Sequence, residues 1–381
     1  MQLTGLHAGT RQPIAIHIED GCISNVTPFI PDADEQLPFL APGLVDLQVN
    51  GCHGYDFNSQ FTTPDDVGHI TRALLRMGVT AYLPTIITNS EDMIKQEIAQ
   101  IVAGCANDSL SAQCILGIHL EGPFISSENG ARGAHDPKYI RAPDWNLFER
   151  WQSVANGAIR IVTLSPEWPS SLEFIRRCVA SGVMVSIGHT AASPERIREA
   201  VAAGARCSTH LGNGSHAMIS RHDSYIWEQL ASDHLSASFI ADGHHLPLAF
   251  LKVALRAKGK LSMLVSDAVA LSGMPPGEYH SVVGGRVVLT AQGKLHLAEY
   301  PNILAGSAHL LPHGIAHLVL NGLASLPEAW EMASLRPASL LNLRSKAGLK
   351  EGAPADIVVF RWNGQAISIE QVFKQGVRID L

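Results

Sequence analysis

Long apolar runs, paired cysteines and clustered basic residues are all missing from this sequence, and each absence removes a class of protein. No window approaches the about 18 consecutive apolar residues of a membrane-spanning helix. The opening residues MQLTGLHAGTRQP lack the charged start, apolar stretch and small-residue cleavage site of a secretory leader. Six cysteines (Cys22, Cys52, Cys105, Cys114, Cys178, Cys207) are scattered without any C-x-x-C, which fits reduced thiols in a chain large enough not to need disulfide staples. A cytoplasmic protein without a membrane partner is expected. Lys plus Arg number 28 against 35 Asp plus Glu, a formal charge of −7 with no basic run, so a nucleic-acid partner is not expected. Charged residues make up only 17% of the 381 and hydrophobic ones 46%, a balance that excludes disorder, fibre and coiled coil. Histidine is the one excess: there are 18, several directly after apolar, strand-like runs.

The chain is long enough for about two to three domains, although one α/β barrel can absorb about 250 residues alone. Residues 1–41 are turn-rich, with alternation at Ile14, Ile16 and Ile18 before Glu19-Asp20-Gly21, a hairpin signal. From Pro42 the rhythm changes to apolar runs followed by helical stretches, as βα units require. Eight such runs are LVDLQV, VTAYLPTII, CILGIHLEG, IRIVTLSP, VMVSIGH, ARCSTHL, SASFIAD and LSMLVSDA. They predict an α/β fold with a (β/α)₈, TIM-like barrel over 42–345. The best-marked helix opens with Ser193 as cap and Pro194 in its first turn, and closes at Gly204. Residues 346–381 return to short strands and are expected to join 1–41 in one small β domain.

Glu121 in HLEGP, His189 in SIGHT and His210 in STHLGNG stand at the C-terminal ends of predicted barrel strands. Those ends share one mouth, where active sites of this architecture lie. Two imidazoles and a carboxylate make a three-ligand set for Zn²⁺ or a similar divalent ion, with a position open for water. Taken singly, each is more often an ordinary polar residue at a strand end. Asp267 in LVSDA would project into the same mouth. It reads either as a cap or as a general base and acid beside a metal-activated water.

In order and spacing, PGLVDLQVNG (42–51), HLEGPF, GAHDP, GHT, THLGNG, IADGHH, LVSDA, LAGS and GLKEGAPADIVVF resemble the N-acetylglucosamine-6-phosphate deacetylase family of the amidohydrolase superfamily, over nearly the whole chain. The resemblance implies a metal-centred barrel, a small β-sandwich from both termini, and a homodimer. Many amidohydrolases carry an H-x-H pair after the first strand that binds a second, more buried metal. Here the place reads Gln48-Val49-Asn50, as in the single-metal branch, and amides are poor substitutes for imidazole as zinc ligands. One divalent ion, Zn²⁺, is therefore expected at Glu121, His189 and His210, with Gln48 and Asn50 filling the vacated position by hydrogen bonds.

The resemblance also implies a substrate site. His135 in GAHDP is similar to the histidine that approaches the scissile amide. Asn213 and Gly214 match the segment that holds the sugar phosphate, and Ala305 and Gly306 match a loop that closes over the ligand. His245 and Arg221 match substrate contacts, the arginine reaching phosphate from a neighbouring subunit. The segment from Gly212 to Leu230 departs from the family's usual text and adds Tyr225 and Trp227 near Arg221. A guanidinium there could pair with phosphate or with Asp223 or Glu228. The expected activity is removal of the acetyl group from an amino sugar phosphate, N-acetylglucosamine 6-phosphate in the first place. Another N-acetyl hexosamine, an N-acyl amino acid, or a non-catalytic binding barrel are the alternatives.

Overall fold

Eight buried, β-branched segments become the staves of a barrel. The computed structural model describes residues 1–32, 36–282 and 285–380. The barrel strands are β1 (Leu44–Val49), β2 (Val79–Ile87), β3 (Ile118–Glu121), β4 (Ile159–Leu164), β5 (Met184–Ile187), β6 (Cys207–Ser208), β7 (Ser236–Phe239) and β8 (Ser262–Leu264). They lie in sequence order, every neighbour pair parallel. Each falls within one of the eight runs read from the sequence. All residues of β1 and β3 are buried, because helices cover the outside and side chains fill the inside.

The ends of this sheet meet in a short seam. Beyond β8 the chain pairs with the end of β1 through a parallel bridge between Val49 and Ala268. Asp267 N donates to Gln48 O at 3.1 Å, and Asn50 N to Ala268 O at 2.7 Å. Around the barrel, the helix Pro194–Ala203 starts where Ser193 Oγ accepts from Arg196 N and stops where Gly204 turns left-handed at φ 119°. Between helices and strands, Phe124, Trp151 and Phe174 form one aromatic cluster, with Phe124 edge-on to Phe174 at 5.1 Å. Burying each such side chain is worth about 1.5–3 kcal/mol.

Strands from both termini share one seven-stranded mixed sheet: Val377–Ile379, Ile367–Lys374, Ile357–Trp362, Phe39–Pro42, Gln2–His7, Pro13–Glu19 and Cys22–Pro28, in that spatial order. The hairpin read at Glu19-Asp20-Gly21 is present, with Asp20 at φ 47° and Gly21 at φ 75°, the left-handed pair of a two-residue turn. Strand alternation divides this sheet between two cores. Val358 and Phe360 pack into the barrel's core, while Ile357 and Val359 join Ile16, Ile23 and Leu40 in a core of its own.

A three-stranded sheet at Gly277–Ser281, Gly285–Leu289 and Leu295–Leu297 follows β8 and was not anticipated from the sequence. Among the described residues, no helix is long and apolar enough to cross a membrane.

Candidate active site

The barrel delivers its polar tips by ending strands abruptly. Glu121 is the last residue of β3, His189 and His210 lie two residues past β5 and β6, and Asp267 lies three past β8. His189, His210 and Asp267 have φ of 47°, 30° and 49°. Such left-handed, non-glycine residues cost about 1–3 kcal/mol each and persist where the surroundings over-determine them. Here the turn-back points three side chains into one mouth.

His189 Nδ1 faces the carbonyl oxygen of Ala131 at 3.0 Å and must donate to it, so Nε2 carries the lone pair. That atom lies 3.3 Å from Glu121 Oε1 and 3.1 Å from His210 Nε2. His210 Nε2 is 2.8 Å from the same carboxylate oxygen. All three side chains are buried, and their ligand atoms lie within 4.8 Å of one another. Electron-rich atoms facing inward at this range need a positive charge among them, and two imidazoles with a carboxylate are the donor set of a divalent ion. Burial alone would raise the Glu121 carboxyl, but the His189 and His210 rings beside it hold it well below the usual range. The His189 ring is also seated closely: a Cβ on Gly214, itself at φ 53°, would lie 2.4 Å from His189 Nδ1.

Amides stand beside this cluster. Gln48 Nε2 donates to Glu121 Oε1 at 2.9 Å and to Asp267 Oδ1 at 3.1 Å, and Asn50 Nδ2 donates to Asp267 Oδ1 at 2.8 Å. Burial, and then the neighbouring Glu121 carboxylate, raise Asp267 to about 6.

A cavity of about 220 Å³ opens over these groups, lined also by His135, Asn213, Gly214, His245, Ala305 and Gly306. His135 stacks edge-on against His189 at 4.4 Å and keeps Nδ1 within 2.8 Å of Thr88 Oγ1. Burial, then His189, lower it to about 3, so it is neutral. His245 donates from Nδ1 to Asp242 Oδ2 at 2.7 Å, which turns its other nitrogen free. Arg221 is exposed and does not line the cavity. Glu228, one carboxylate that could have held it, is paired with Arg198 at 2.7 Å. Tyr225 is buried, with its hydroxyl 2.9 Å from His216 Nδ1, whereas Trp227 is exposed.

Asp56, Asn58 and Ser281 also line the cavity and were missed in the sequence. Asp56 ends the short strand Tyr55–Asp56 after β1 and Asn58 lies two residues beyond it, where GYDFN offered only ordinary loop residues; Ser281 belongs to the unanticipated sheet.

The amidohydrolase family's sequence model matches residues 39–379. The chain belongs to the amidohydrolase family. This amidohydrolase is 37% identical over 346 residues to the N-acetylglucosamine-6-phosphate deacetylase of Bos taurus, covering 86% of this chain and 81% of that one. It is 33% identical over 340 residues to the Vibrio furnissii protein of the same name, covering 88% and 82%. The crystal structure of N-acetyl-D-glucosamine-6-phosphate deacetylase from Mycobacterium smegmatis superposes with a TM-score of 0.88 at 27% identity over 100% of both chains. An aspartate-to-alanine variant of that protein, in complex with N-acetyl-D-glucosamine-6-phosphate, gives 0.86 at 27% identity over 99% of this chain and 98% of that one. Amidohydrolases of this kind depend on metal, and in this amidohydrolase Glu121, His189 and His210 are a group able to hold an ion.

Proposed function

We propose that this chain hydrolyses the acetamide of N-acetylglucosamine 6-phosphate, releasing acetate and glucosamine 6-phosphate. The observation that carries the reading is the convergence of Glu121, His189 and His210 beside Asp267 at the floor of one cavity, in a chain related along most of its length to deacetylases of that name. Glu121, His189 and His210 would hold a single divalent ion, Zn²⁺ on this reading, which when bound supplies Lewis acidity to the amide carbonyl and makes water a stronger acid.

The chain's own groups do the rest. Gln48 and Asn50 occupy Asp267 Oδ1, so Oδ2 takes the proton as water attacks and returns it to the leaving nitrogen. A carboxyl near 6 suits both directions of that transfer. Neutral His135, receiving the Thr88 hydroxyl hydrogen at Nδ1, carries its own hydrogen on Nε2 and donates it to the oxyanion. Asn213, Gly214, His245, Ala305 and Gly306 hold the sugar. Arg221 serves the phosphate of a neighbouring subunit in a cytoplasmic homodimer, which accounts for its place outside its own cavity.

The test is acetate release by metal-loaded protein from N-acetylglucosamine 6-phosphate and from the unphosphorylated sugar. The expected result is a kcat/KM preference for the phosphate of about tenfold to a hundredfold, the value of one charge-assisted contact, lost in Arg221→Ala. Equal turnover of both sugars would move the substrate to a plain N-acetyl hexosamine. Inactivity toward a panel of N-acyl compounds would leave a binding barrel.

A further inference from the structure

A row of buried polar side chains crosses the barrel interior beneath the ligand cluster. His119 lies two residues before Glu121 on β3 and so shares its inward face. Its Nδ1 is 3.0 Å from the carbonyl oxygen of Leu47, and its Nε2 is 2.7 Å from Thr163 Oγ1. Thr163 Oγ1 is 2.6 Å from Thr209 Oγ1, which is 2.6 Å from Ser186 Oγ. All four side chains are buried.

The sense of the chain follows from its end. A carbonyl only accepts, so Nδ1 donates to Leu47 and, in a neutral ring, Nε2 must accept. Thr163 spends its hydrogen on Nε2 and accepts from Thr209, and Thr209 in turn accepts from Ser186. Four bonds thus point one way, each polarising the next. Reversing any one would leave two lone pairs facing each other in a dry interior.

Every metal ligand hangs on a backbone that this chain grips. Leu47 precedes Gln48, Thr209 precedes His210, and His119 shares its strand with Glu121. The grip on His189 is steric: a Cβ on Gly188, the residue before it, would come within 2.8 Å of both Thr163 Cγ2 and Thr209 Cβ. We infer that His119, Thr163, Thr209 and Ser186 are positioning residues that set the spacing of Glu121, His189 and His210 without touching substrate. The inference rests on the metal-binding reading above.

Thr163→Val tests it, because valine removes the hydroxyl yet keeps the methyl that packs on Gly188; Thr163→Ser keeps the hydroxyl. Co²⁺ serves as probe, followed by its visible spectrum and by competition with a chelator. Thr163→Val should bind Co²⁺ about 10–100-fold more weakly, the usual effect of losing an outer support of a metal ligand, with an altered spectrum, a lower kcat and a nearly unchanged KM. Thr163→Ser should restore all of these. If the valine variant does not fold, His119→Gln, which keeps an acceptor for Thr163 and loses the bond to Leu47, should show the same weakening. Wild-type Co²⁺ affinity and spectrum in either folded variant would overturn the inference alone. A wild-type protein that takes up no Co²⁺ at the three ligands would bring down the metal reading and the inference together.

Discussion

Glu121 at the barrel mouth and Glu97 in the helix Glu91–Asn107 are almost equally sealed from solvent, at 3% and 1% exposed, yet their chemistry is opposite. Two imidazoles and the Gln48 amide converge on Glu121 and keep it ionised. Glu97 has only a 3.4 Å contact from Asn89, and its Oε2 has no partner among the described residues. Burial, and then the charge of Asp56, push Glu97 up to about 8. Depth alone therefore does not mark a functional carboxylate. What distinguishes the two is whether the surroundings were built to stabilise a negative charge or to exclude one.

The same isosteric change at both places is the sharpest way to break the contrast. Glu121→Gln removes the anionic ligand, and kcat should fall beyond about 10⁴-fold, the upper range for one acid–base group, together with loss of metal by elemental analysis. Retained metal and activity would erase the distinction. Asp267→Asn should cost about 10²–10⁴-fold in kcat while the bound metal stays, which separates the proton carrier from the ligands beside it. Near-original turnover would remove Asp267 from the reaction.

A smaller effect is expected from Gly214→Ala, whose Cβ would press on the His189 ring. Metal affinity should weaken by about tenfold or more, measured by chelator competition. Glu97→Gln should leave turnover alone and act on stability instead. Because the folded carboxyl holds its proton to about 8 and the unfolded one releases it near 4.5, the wild type loses stability as pH climbs between those values. The glutamine variant lacks that loss. Its advantage in denaturant midpoint should grow from pH 5 to pH 8, to a few kcal/mol at most (about 1.4 per pKa unit); a constant difference across that range would mean Glu97 does not titrate there.

The barrel was legible because its strands are buried on both faces and read as unbroken apolar runs, and because Ser193, Pro194 and Gly204 punctuate a helix unambiguously. Glu121, His189, His210 and Asp267 were legible for a related reason: a strand that stops on a charged or imidazole side chain can only present it at the rim. The sheet at 277–297 was not, since the strand Gly277–Ser281 has no fully buried residue and its alternation carries no contrast. Thr163, Thr209 and Ser186 passed as ordinary strand residues. Their meaning lies in partners 23 to 46 positions away, and no local pattern encodes that.

The seam where Val49 meets Ala268 has a consequence for how the molecule comes into being. Gln48 and Asn50 are among the first barrel residues to leave the ribosome, whereas Asp267, which they clasp, follows more than two hundred positions later. A nascent chain interrupted after His210 carries Glu121, His189 and His210 but not Asp267. The amide clasp on Asp267 thus forms only when the last stave docks against the first.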